Sequence, residues 1–102
     1  MTGPSATDPR IDVAGRILRE AGDASTWPQT QEARWALHQA REFLIAALSE
    51  YQDVLQDTGS WSSQEQDAAL EEAAVTAYDA AVALVRQRDE RGNTAAARRA
   101  AA

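Results

Sequence analysis

Residues 33–55 read ARWALHQAREFLIAALSEYQDVL, and an apolar side chain returns there every three or four positions. Ala33, Ala36, Leu37, Ala40, Phe43, Leu44, Ala47, Leu48, Tyr51, Val54 and Leu55 share one stripe at ~100° per residue, the period of an α-helix. Between Pro28 and the Thr58-Gly59 break, the pattern predicts a helix over about 28–57, roughly 42 Å long at ~1.5 Å per residue. A helix apolar along one side must bury that side against a neighbour.

The neighbour follows the break. Ser62-Ser63-Gln64-Glu65 has the form of a capping box, with Ser62 at the N-cap and Glu65 three residues on. Leu70, Ala73, Ala74, Ala77, Ala81, Leu84 and Val85 then predict a helix over about 63–91, ended by Gly92-Asn93. Val75, Tyr78 and Val82 lie beside this set and widen the apolar arc to about half the circumference, more than one neighbour covers. The short connection forces the two helices antiparallel.

Upstream, Asp8 before Pro9 is a helix start, an N-cap acceptor followed by proline at the first helical position. Val13, Ala14, Ile17, Leu18 and Ala21 predict a short helix over about 9–21, with Gly22 as its stop. Such a helix is marginal in isolation and must dock on the hairpin. The expected fold is all-α: a long antiparallel helical hairpin and a short N-terminal helix, forming a three-helix bundle. Residues 1–7 are expected to be flexible, 8–92 to form the helical domain, and 93–102 to be a flexible Ala/Arg-rich tail.

Composition narrows the function classes. Among 102 residues there is no cysteine, which excludes disulfides, thiolate metal sites and cysteine nucleophiles. No apolar run approaches the ~18 residues of a membrane span, and MTGPSATDPR offers no apolar signal segment. Alanine occurs 23 times, against 22 for Leu, Ile, Val, Phe, Trp, Tyr and Met together. The core is therefore expected to be thin, with self-association as a supplement. Arginine without any lysine, beside abundant alanine, points to a GC-rich bacterial or phage genome, and the expected compartment is the cytoplasm.

The net charge of −6 is unevenly spread. Residues 42–85 hold nine acids and no basic residue, whereas residues 86–102 hold five arginines and two acids. An antiparallel hairpin gathers Glu50, Asp53, Asp57, Glu65, Asp67, Glu71 and Glu72 at its turn end. That end either keeps an Ala-rich surface solvated or docks a basic partner. Direct nucleic-acid binding is disfavoured, because phosphate contacts need a basic surface.

Chemistry-bearing patterns are absent from the sequence. His38 projects onto the polar side of its helix between Arg34 and Arg41, which repel a cation, and no paired ligand motif accompanies it. No hydroxyl has a base at a recognisable spacing, and no glycine-rich phosphate loop occurs. No enzyme activity, cofactor or metal is expected. The candidate anchors are aromatic and aliphatic. Trp35 and Ile45 project away from the stripe of the second helix. Trp27 and Trp61 fall in the two loops, where they either plug the bundle ends or serve as interface anchors.

An acidic, cysteine-free helical hairpin of about this length, with Trp61 in its turn, resembles the small secreted WXG100 proteins. The resemblance implies an exported helical hairpin. The chain departs from that pattern in reading Trp61-Ser62-Ser63 where Trp-x-Gly is expected, and neither Tyr51 nor Tyr78 has an acid four residues later.

These readings converge on a small non-catalytic protein that acts through helix–helix contacts, self-associating as a homodimer. Trp35, Ile45, Trp61, Val75, Tyr78 and Val82 are its interface candidates. The alternatives are an acidic, phage-type inhibitor or nucleic-acid mimic that binds a basic partner, and the exported hairpin.

Overall fold

The computed structural model describes residues 8–57, Gly59 and 62–101, without the side chains of 94–99 and 101. Three α-helices follow one another, α1 (Pro9–Ala21), α2 (Gln31–Gln56) and α3 (Ser63–Ala101). A single 3-10 turn at Ala24–Thr26 interrupts the α1–α2 connection. Among the described residues there is no strand. The fold is a three-helix bundle, as the sequence predicts.

Local chemistry sets the helix starts. Asp8 caps α1 by accepting from the Arg10 amide at 2.9 Å, with Pro9 in the first turn. At α3 the capping box closes in both directions: the Glu65 amide donates to Ser62 Oγ at 3.1 Å, and the Ser62 amide donates to Glu65 Oε1 at 2.9 Å. Helix α2 begins at Gln31 rather than Pro28, because Thr30 is the residue that caps it, accepting from the Ala33 amide at 3.3 Å. Its far end is closed from the next helix, where Gln66 Nε2 donates to the carbonyls of Val54 at 2.9 Å and Asp57 at 3.2 Å.

The expected stop at Gly92-Asn93 does not occur, and α3 continues to Ala101. No glycine among the described residues takes a positive φ, so the left-handed cap that usually ends a helix is missing there. The alanines that follow are strong helix formers and carry the ladder on. At ~1.5 Å per residue, 39 residues span roughly 58 Å, which accounts for the 59 Å long dimension of the molecule. Helix α2 has 26 residues and spans ~39 Å, so α3 outruns its partner at the C-terminal end.

Helix α1 packs more closely on α3 than on α2. Its start lies beside the start of α3, where Arg10 meets Glu71, so α1 runs parallel to α3 and antiparallel to α2. Leu37 and Leu44 of α2 and Leu84 of α3 are the largest fully enclosed side chains. Around them lie Ile11, Ala14 and Ala21 from α1, and Ala73, Ala74, Ala77, Ala80 and Ala81 from α3. Five alanines on one helix face let the neighbouring helices approach closely, at the cost of little apolar area per residue.

The expected core needs four corrections. Phe43 is not in it; the side chain is 59% exposed, because it sits at the outer edge of the α2 stripe, ~90° from Leu44 and Tyr51. Leu55 is also exposed, on the last turn of α2. Leu48 is half-buried, packed against the core from its rim. In α1, Ile11 is buried and Val13 only half-buried, since α3 meets a face centred on Ala14 and Leu18.

Candidate functional site

Trp27 and Trp35 have opposite fates. Trp27 is buried, and its Nε1 donates to the Ala21 carbonyl at 2.7 Å, satisfying a carbonyl in the last turn of α1. The Arg34 guanidinium lies over the Trp27 ring, 5.7 Å from its centroid, and donates to the Ala24 carbonyl at 3.1 Å. Trp27 is therefore a plug that closes the bundle end between α1 and α2. Trp35, one residue beyond Arg34, is 65% exposed. Helix α1 does not fold over it. Its ring stacks on that of His38, with centroids 6.5 Å apart and planes 30° apart.

Together these side chains line an open groove of about 1310 Å³, floored by Trp27, Trp35 and His38 and flanked by Glu32, Arg34 and Arg41. The lining carries two acids, Asp23 and Glu32, and two arginines, and Arg34 Nη1 donates back to the Ala24 carbonyl. The groove offers an aromatic shelf rather than a charged pocket. Among the described residues no group of three or more His, Asp or Glu side chains could hold a metal ion.

A second apolar surface lies along α3. Val75 is 40% exposed, Tyr78 39%, and Val82 is half-buried. Their centre lies ~130° around the helix from the buried alanines and Leu84, on the outer side of the face that α1 and α2 occupy. Helix α1 thus leaves uncovered the part of the arc that the sequence marks as too wide for one neighbour. Ile45 of α2 is half-buried, and Trp61 lies outside the described residues.

The turn end of the bundle gathers the acids. Glu50, Asp53, Glu65, Asp67, Glu71 and Glu72 are exposed and Asp57 half-buried. Arg10 is drawn into this end. Its Nη1 and Nη2 donate to Glu71 at 2.9 and 2.6 Å, and its Nε and Nη2 donate to Asp8 at 3.0 and 2.7 Å. Hydrogen bonds from Arg10 hold both carboxyls below their ordinary range. The Glu65 carboxyl is likewise lowered, by the Ser62 amide it accepts from.

No model of a known family matches the chain, and neither does a curated protein or a solved structure. Among the described residues no helix is long and apolar enough to cross a membrane.

Sequence reasoning missed two features. Phe43 is an exposed aromatic where the sequence predicts a core residue, because a projection places it on the stripe without showing how far around α2 the neighbouring helices reach. The Trp27 plug depends on Ala21 and Arg34, contacts that only the folded connection creates.

Proposed function

We propose that this chain is a small non-catalytic helical interaction or assembly protein that self-associates through the outer face of α3. The observation that carries the reading is the exposure of Val75 and Tyr78 beside half-buried Val82 on one face of the longest helix. Apolar side chains so grouped are normally covered when a protein reaches its working state. The alanine-rich core gives a second reason, since a bundle with few large buried side chains gains from burying more area in a partner. Trp35 and Phe43 are further exposed anchors for a different protein.

Sedimentation velocity at low and high salt tests this. An apolar helix interface keeps its sedimentation coefficient as ionic strength rises, whereas association through charge alone is lost.

A second reading is favoured by the acidic end. Beyond the two carboxyls held by Arg10, it presents Glu50, Asp53, Glu65, Asp67 and Glu72 to solvent, a surface suited to docking a basic protein. Steep salt dependence toward a basic partner is its mark. The exported-hairpin reading is supported by shape alone.

A further inference from the structure

Val75, Tyr78, Val82 and Val85 are spaced 3, 4 and 3 residues apart, the a/d rhythm of a coiled-coil seam. Val85 is packed against the core at the inner edge of this seam, and the other three face outward. The charges beside the seam change sign along the helix. Glu72 and Asp79 are exposed on its N-terminal half, and Arg86 is exposed on its C-terminal half.

Resting on the reading that α3 self-associates, we infer that the occupant of this seam is α3 of a second copy, lying antiparallel across a two-fold axis beside Asp79. In that register Tyr78 packs on Val82 of the other copy and Val75 on its Val85, giving four apolar layers. Glu72 of each chain then faces Arg86 of the other, twice over by symmetry. The acids at the two ends of the seam are already matched within their own chain. Glu71 is held by Arg10, and Asp89 accepts from Arg88 at 3.1 Å. A parallel pairing instead carries Glu72, Asp79 and Arg86, which share one heptad position, to opposite flanks of the seam, where Glu72 and Arg86 do not meet. The antiparallel arrangement sets Asp79 beside Asp79 at the axis and, at each end, Glu71 beside Asp89 of the other copy, acids already bonded to Arg10 and Arg88.

The chain has no cysteine, so single cysteines report this register directly. Asp79→Cys, Glu72→Cys and Arg86→Cys each sit on an exposed position, and circular dichroism checks that the fold is kept. Each full-length variant, and a mixture of the last two, is treated with a short bismaleimide. Asp79→Cys is expected to link to itself. Glu72→Cys and Arg86→Cys should each fail alone, their like positions lying ~21 Å apart along the axis, and should link when mixed. Efficient self-linking of Glu72→Cys or of Arg86→Cys means that like positions meet, which the antiparallel register forbids, and overturns the inference. Dimer mass without any link places the interface on another face and overturns it too, while leaving self-association intact. A monomer at tens of micromolar removes both.

Discussion

Arg10 of α1 grips Glu71 of α3 with both of its terminal nitrogens, at 2.9 and 2.6 Å, across 61 residues of sequence. Two parallel bonds of this kind fix direction as well as distance. They hold the first turn of α1 to the first turns of α3, so the short helix runs alongside α3 and shields one side of it. The face bearing Val75, Tyr78 and Val82 lies past that shield. One ion pair thus connects the topology of the bundle to the surface proposed to bind a second copy.

The same pair gives a pH prediction. Asp8 and Glu71 are both lowered by Arg10, so the folded state holds their protons less tightly than the unfolded chain does. Their contribution is complete above the ordinary carboxyl values of 3.8 and 4.5, and is lost as pH falls through the lower folded values. Denaturant midpoints measured from pH 7 down to pH 3 should therefore fall on the acid side, and Glu71→Gln should flatten that fall. An identical acid slope in the variant would show that Glu71 contributes nothing.

Core and stripe separate at two adjacent residues. Leu44 is fully enclosed and Phe43 is 59% exposed. Leu44→Ala is expected to cost about 2–5 kcal/mol, the range for buried leucine truncations. Phe43→Ala should change stability by no more than ~0.5 kcal/mol, as surface substitutions do. Chemical denaturation of both variants checks the pair, and a larger loss at Phe43 would place the wrong side of α2 outside.

Two glycines, Gly15 in the middle of α1 and Gly22 at its C-cap, should respond in opposite directions. A Cβ at Gly15 would meet nothing closer than the Arg19 guanidinium at 4.0 Å, so Gly15→Ala should add about 0.5–1 kcal/mol through helix propensity. A Cβ at Gly22 would collide with the Leu18 carbonyl, which the Gly22 amide already bonds at 3.0 Å. Gly22→Ala must therefore shift backbone and destabilise. Thermal melts of the two variants that moved in the same direction would contradict this.

The tryptophans offer an optical test. Iodide or acrylamide should quench Trp35, and Trp35→Phe should remove most of the quenchable emission that Trp61 does not supply. Trp27→Phe should leave the accessible emission in place while lowering stability, because the Ala21 carbonyl loses its donor. If Trp27→Phe instead removed the quenchable signal, the bundle end would be open.

How much of this was legible beforehand follows from the range of each interaction. The N-cap at Asp8, the capping box at Ser62 and Glu65, and the buried Leu37, Leu44 and Leu84 are all local or periodic, and the sequence displays them. The exposure of Phe43 and Leu55 was hidden, because it depends on how the neighbouring helices sit around and along α2. The length of α3 was hidden for another reason: Gly92 reads as a stop only if its backbone turns left-handed, and it does not. The Arg10–Glu71 clasp joins residues whose spacing carries no signal. The outward placement of Val75 and Tyr78 was readable as an arc too wide for one helix, and the position of α1 accounts for what remains uncovered.

The central claim is that the outer face of α3 binds a second copy, and sedimentation equilibrium at tens of micromolar tests it most directly. The chain has a mass of 11.0 kDa, and the expected result is a species near twice that, shifted toward monomer by Val82→Glu, which would bury an unpaired charge in the seam. A strict monomer, or a dimer whose mass is untouched by Val82→Glu, would contradict the account.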